Sequence, residues 1–187
     1  MTPSQSPVVT IFGSSRPRPG DEEYLTAYDL GAGLARSGFI VCNGGFAGIM
    51  EASARGAKEA GGATIGVTFT ALGPREHNPW IDNVIQEDTL INRAMRLVSL
   101  GDAYVVVKGG TGTLLELAIV WEYINKGLMK EKPILILGSF WKDVVSTLND
   151  ELAWEGLDRC TRYVVEAESA QHAVSILASR FQQAKDG

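Results

Sequence analysis

The chain has 187 residues, 45% of them hydrophobic and 21% charged, with a formal net charge of −5. That length suits one domain whose core is large enough to need no covalent staples. No block of Lys or Arg interrupts the acidic balance, which argues against a nucleic-acid surface while leaving room for one bound nucleotide.

Residues 1–7 read as a flexible lead-in and 8–187 as one domain. Val8–Phe12 is a short apolar strand broken at Gly13, and a helix from about Asp21 to Arg36 is ended by Ser37-Gly38. Phe39–Cys42 is the next strand, stopped by Asn43-Gly44-Gly45. Helix Ile49–Ala60 closes at Gly61-Gly62, and Ala63–Val67 is a third strand. The stretch Thr68–Val84 carries Gly73-Pro74 and Asn78-Pro79 and reads as a long loop of the kind that often forms a lid. A brief strand at Val84–Gln86, a helix at Thr89–Leu100 and a strand at Ala103–Val107 follow. The chain continues with helix Thr113–Asn125, strand Pro133–Leu137, helix Trp141–Leu152, strand Tyr163–Val165 and a closing helix Ala167–Ala184. Short uninterrupted apolar strands alternating with helices predict a doubly wound α/β fold, a parallel sheet with helices on both faces.

Cys42 and Cys160 show no C-x-x-C spacing, and no helix pairs His77 with His172, so neither a disulfide scaffold nor a metal centre is expected. Met1–Pro7 has no apolar leader core, and no apolar run reaches membrane-spanning length. The expectation is a reduced cytoplasmic protein with no metal, no cofactor and no membrane or nucleic-acid partner.

Ligands of open parallel sheets bind at the carboxyl ends of the strands, where the strand order reverses. Three strand-to-helix junctions here are small and polar: Gly13-Ser14-Ser15, Asn43-Gly44-Gly45 and Lys108–Thr113. Glycine lets backbone approach an anion closely, and a following helix N-terminus adds unpaired N–H groups. Gly13, Ser14, Gly44, Gly45, Gly109, Gly110, Thr111, Gly112 and Thr113 are therefore expected to hold a phosphate-bearing small molecule. Neither G-x-G-x-x-G after the first strand nor G-x-x-x-x-G-K-[ST] is present, which removes the main support for dinucleotide binding and ATP hydrolysis.

Glu116 has two readings. Thr113-Leu114-Leu115-Glu116 has capping-box spacing, with Thr113 as N-cap, and Glu51 holds the analogous place after Gly48. A carboxylate beside a phosphate turn, on a helix as apolar as Thr113–Asn125, is also a candidate acid or base. That apolar helix is expected to be covered by a second subunit as well as by the sheet. His77 and Trp80 read as surface-loop residues, Arg96 as a solvated helix arginine, and Asp102 as structural because it precedes its strand.

KGGTGTLLE resembles the PGGxGTxxE signature of the LOG ("lonely guy") family, often mislabelled lysine decarboxylases. Gly13-Ser14-Ser15 is similar to that family's first turn, NGGFAGIME to its second, and GGATIGV to its third strand. The resemblance covers roughly residues 8–140. It implies a Rossmann-like phosphoribohydrolase that frees the base from a purine, notably cytokinin, nucleoside 5′-monophosphate. It further implies a homodimer or larger assembly. Glu116 inherits a catalytic role by position, and so does Arg93, which falls on the arginine of the family's M-H-x-R-K helix. Lys108 stands for the signature proline, Ala94 for the lysine after the arginine, Glu51 for a glycine, and Leu90-Ile91-Asn92 for the segment before the arginine. Near relatives carry the molybdenum cofactor without hydrolysis, so a non-catalytic carrier of a phosphorylated pterin is the alternative.

Overall fold

Side chains alternate across a strand, so each strand of a covered parallel sheet supplies two cores at once. The computed structural model describes residues 6–70 and 76–186. Its strands are β1 (Val8–Phe12), β2 (Ile40–Asn43), β3 (Thr64–Phe69), β4 (Asn83–Glu87), β5 (Ala103–Val106), β6 (Ile134–Leu137) and β7 (Val164–Ala167). All pair in parallel in the order β4-β3-β2-β1-β5-β6-β7. The helices are α1 (Glu22–Arg36), α2 (Ile49–Glu59), α3 (Leu90–Leu100), α4 (Thr111–Asn125), α5 (Lys142–Trp154) and α6 (Ala170–Asp186), with a 3-10 turn at Asp158–Tyr163.

Val9, Ile11, Val41, Val105 and Leu135 face α1, α2 and α6 and build one core. Phe12, Cys42, Tyr104, Val106 and Ile136 face α3, α4 and α5 and build the other. The fold is the doubly wound α/β fold that the strand–helix alternation predicts. Cys42 and Cys160 are both buried and unpaired, and burial pushes the Cys42 thiol up to about 12, which leaves it an inert small hydrophobe. No helix among the described residues is long and apolar enough to cross a membrane.

Several boundaries differ from the sequence-based ones. Pairing with β4 prolongs β3 to Phe69, so the predicted 68–84 loop is shorter. Its residues 71–75 lie outside the described residues, as do 1–5 of the predicted lead-in. Pro7 already joins the sheet, its carbonyl accepting from the Ile40 amide at 2.9 Å. The closing helix starts at Ala170 rather than Ala167 because Ala167 still pairs with Leu137, and the Ser169 hydroxyl accepts from the His172 amide at 3.1 Å.

Helices α1 and α2 cross at glycine-to-backbone contact. A Cβ on Gly31 would lie 2.0 Å from the Ser53 carbonyl oxygen, and one on Gly56 would lie 2.0 Å from that of Tyr28. Neither obstacle is a flexible side chain that can swing away. Gly31→Ala is expected to destabilise the protein by about 1–3 kcal/mol through forced backbone separation. Urea denaturation at constant m-value measures it.

Candidate active site

The strand order reverses between β1 and β5, so the crevice of this fold opens where Phe12-Gly13 and Val107-Lys108 leave the sheet. The first turn ties the other two to itself. The Ser14 amide donates to the Lys108 carbonyl at 3.1 Å, and the Ser14 carbonyl accepts from the Ile49 amide at 2.9 Å. Buried Asn43 shapes the second turn: its Nδ2 donates to the Met50 carbonyl at 2.9 Å, and its Oδ1 accepts from the Gly45 amide at 2.9 Å. The third turn passes into α4 at Gly110, which has no side-chain cap, so the first amides of α4 lack intrahelical acceptors.

The capping box at Thr113 and Glu116 does not form. The helix begins at Thr111, two residues earlier than its spacing suggests, and Thr113 lies buried inside the first turn. Its hydroxyl packs against Gly109, where a Cβ would lie 2.2 Å from Thr113 Oγ1. Glu116 is thereby moved past the capping position to the helix face that borders the crevice.

The crevice is a cavity of about 410 Å³ lined by Gly13, Ser14, Gly44, Gly110, Thr111, Gly112, Thr113, Arg93 and Glu116. Two expected residues are not in its wall. Gly45 lies behind it, its carbonyl accepting from the Asn78 amide at 2.8 Å, and Gly109 faces a neighbouring cavity. Phe46 and Met50, from within the NGGFAGIME segment, also line it, and so do Arg16 and Phe69, which no sequence motif singles out. A somewhat larger cavity of about 450 Å³ lies beyond Lys108, with Glu22, Glu23, Asp29 and Glu168 in its wall. We assign the site to the smaller one, where backbone donors, a buried cation and a buried carboxylate converge.

Arg93 reaches the crevice from α3 through the gap between two strand ends. Its Nε donates to the Val67 carbonyl at 2.7 Å and its Nη2 to the Gly44 carbonyl at 3.2 Å. The rings of Phe46 and Phe69 flank the guanidinium, with centroids 5.7 and 5.5 Å from Cζ. Gly44 is required here: a Cβ would lie 1.7 Å from Arg93 Nη2. Arg93 Nη1 stands 3.7 Å from Glu116 Oε1, an ion pair longer than a hydrogen bond.

Glu116 makes no side-chain hydrogen bond among the described residues. Burial pushes its carboxyl up to about 7, and the Arg93 charge only partly opposes that rise. Burial also lowers Arg93 from its ordinary value, with the Glu116 charge opposing, yet a guanidinium stays charged at working pH. A carboxyl poised near neutrality beside a fixed cation, at a turn with free amides, has the parts of an acid–base site.

The remaining sequence candidates lie elsewhere. Glu51 accepts from the Tyr24 hydroxyl at 3.1 Å and braces α2 against α1. Ala94 is buried in α3. Asp102 accepts from the Val8 amide at 2.9 Å at the amino end of the sheet, and Arg96 pairs with Glu87 at 2.7 Å. His77 is exposed, and Trp80 sits under Arg55.

Comparison with known proteins places this geometry in a family. The chain is 33% identical over 133 residues to a cytokinin riboside 5′-monophosphate phosphoribohydrolase of Mycobacterium tuberculosis, covering 69% of each chain. It is 31% identical over 133 residues to the phosphoribohydrolase of the same name from Rhodococcoides fascians, covering 69% of this chain and 66% of that one. Among solved structures, the molybdenum cofactor binding protein of Rippkaea orientalis superposes with a TM-score of 0.73 at 25% identity, covering 94% of this chain and 98% of that one. The sequence pattern of the SLOG cluster4 family matches residues 6–174, and the chain belongs to that family.

Proposed function

We propose that this protein is a cytoplasmic phosphoribohydrolase that cleaves the N-glycosidic bond of a purine nucleoside 5′-monophosphate, releasing free base and ribose 5-phosphate. The observation that carries the reading is the Arg93–Glu116 pair, 3.7 Å apart, in one cavity with the amides of Gly110–Thr113. The phosphate binds at Gly13, Ser14 and Gly110–Thr113, and the α4 dipole favours its charge. Binding energy from that remote group then holds the anomeric carbon at Glu116.

Glycosidic cleavage builds positive charge on the ribose ring. The Glu116 carboxylate stabilises that charge and orients the water that attacks C1′. Arg93 favours the ionised carboxylate against the burial that disfavours it, while Phe46 and Phe69 form an apolar wall for the purine. Leu90, Ile91 and Leu114 lie exposed on the neighbouring helices α3 and α4 beside the crevice. They support a homodimer in which a second copy covers this rim.

Incubation with AMP and chromatography of the products tests the proposal. Equimolar adenine and ribose 5-phosphate are expected, and no base release from any purine or cytokinin monophosphate overturns it. The likeness to the Rippkaea orientalis protein, end to end in both chains, favours one second reading, a non-catalytic carrier of a phosphorylated pterin. Pterin fluorescence in the purified protein, without nucleotide cleavage, decides for it.

A further inference from the structure

The crevice does not end at the phosphate turn. A second cavity of about 330 Å³ adjoins it and shares Ser14 and Arg16 with it, so these two residues form the ridge between the two spaces. Its far wall is Lys108, Gly109 and Phe140, and its rim includes Asp21 and Glu23. The Ser14–Lys108 backbone bond of 3.1 Å ties the two turns together there. Lys108 and Arg16, on the two chain segments joined by that bond, both line this cavity.

The charges around this ridge are not all engaged. Among the described residues the Arg16 guanidinium makes no ion pair and no hydrogen bond. Lys108 Nζ is drawn aside onto Glu23 Oε1 at 2.6 Å and lies 6.0 Å from the Phe140 ring centroid. Asp21 is occupied locally, its Oδ2 accepting from the Arg18 amide at 2.7 Å. The next side chains met beyond a phosphate at Gly110–Thr113 are thus one unengaged cation and one held on an exposed carboxylate. Lys108 also occupies the place of the signature proline, a residue with no charge to offer.

We propose that Arg16 and Lys108 form a second phosphate subsite, so that the crevice prefers nucleoside 5′-diphosphates over monophosphates. The inference rests on the nucleotide-binding part of the proposed function and goes beyond it, because a nucleoside diphosphate held this way competes with the monophosphate substrate for the crevice. The α-phosphate keeps the α4 amides, and the β-phosphate lies across the ridge. There it engages the Arg16 guanidinium and draws Lys108 from Glu23, since a phosphate dianion outcompetes a solvated carboxylate. Glu23 is the opposing element that sets the size of the preference.

Calorimetric titration with AMP and with ADP, in a Glu116→Gln background so that AMP is not consumed and in chelator so that no metal is carried in, measures the ratio of affinities. ADP is expected to bind about tenfold more tightly than AMP, the worth of one charge-assisted hydrogen bond. The double variant Arg16→Gln/Lys108→Gln is expected to bind the two equally, and Glu23→Gln to widen the ratio by freeing Lys108. AMP binding as tightly as ADP overturns the proposal, and so does a preference that survives in the double variant. The ratio needs no turnover. Preference for ADP with cleavage of neither nucleotide sinks the hydrolysis and keeps the subsite, while cleavage of AMP with no preference does the reverse.

Discussion

Glu116→Gln is expected to lower kcat for adenine release from AMP by about 10²–10⁴-fold, with the smaller part of the loss in KM. Glutamine fills the same space and leaves the phosphate turn untouched, but it cannot carry the negative charge that the ring needs. The wild-type pH profile carries the same information. With Glu116 titrating at about 7, kcat/KM rises with pH through neutrality and levels above it, since the carboxylate is the working form. An activity that falls with rising pH over that range makes Glu116 a proton donor and contradicts the assignment.

The same substitution has an opposite effect on stability. Glu116 is held at about 7 in the folded chain against an ordinary 4.5, so the folded state binds the proton more tightly than the unfolded one. The penalty for ionising it is absent below pH 4.5, grows as pH rises, and is complete above pH 7. Glu116→Gln should therefore match the wild type near pH 4 and gain up to about 3 kcal/mol over it by pH 8. Paired denaturant melts at the two pH values check the difference. An inactive variant that is more stable marks a residue kept for chemistry.

Arg93→Ala is expected to cost both folding and activity. Its guanidinium is the hydrogen-bond donor to the Val67 carbonyl of β3 and the Gly44 carbonyl just after β2, and it is the counter-charge of Glu116. Truncation leaves buried acceptors unmade and a buried carboxylate unpaired, which together cost about 3 kcal/mol. Without the neighbouring charge, the Glu116 carboxyl moves further above 7, and whatever activity remains shifts its rising limb to higher pH. Arg93→Lys keeps a charge but cannot fork to two carbonyls, so it should recover stability in part and orientation poorly. Unchanged stability in Arg93→Ala contradicts the bracing role. An unshifted pH limb contradicts the pairing.

The two substitutions concern residues that differed in how readable they were. Strand and helix order followed from short apolar runs punctuated by glycine, and the doubly wound class followed from their alternation. The glycine turns stood out because three small polar junctions fall at successive strand ends, where bare backbone can approach an anion closely. Glu116 was ambiguous, since Thr-x-x-Glu spacing serves a helix cap as well as a site. What removes the cap reading is where α4 begins, with Thr113 inside the first turn and packed against Gly109, a contact with no linear signature. Arg16 and Phe69 were invisible, and Phe46 and Met50 were legible only as parts of the NGGFAGIME motif with no role of their own, for a related reason. They come from three strand ends and one helix, and only the parallel sheet brings them to the same rim.

The position of β1 has a consequence for how the site comes into being during synthesis. β1 is made first but sits between β2 and β5, so its second partner emerges from the ribosome only after some ninety intervening residues. Arg93 lies before that partner and Glu116 after it. The growing chain can assemble the β1–β4 half with one flank of β1 bare, and the crevice first exists when β5 closes that flank. A nucleotide bound across the seam then ties early chain to late chain. Its expected signature is slowed amide exchange at Ser14, whose partner is the Lys108 carbonyl across the seam, more than at the outer strands.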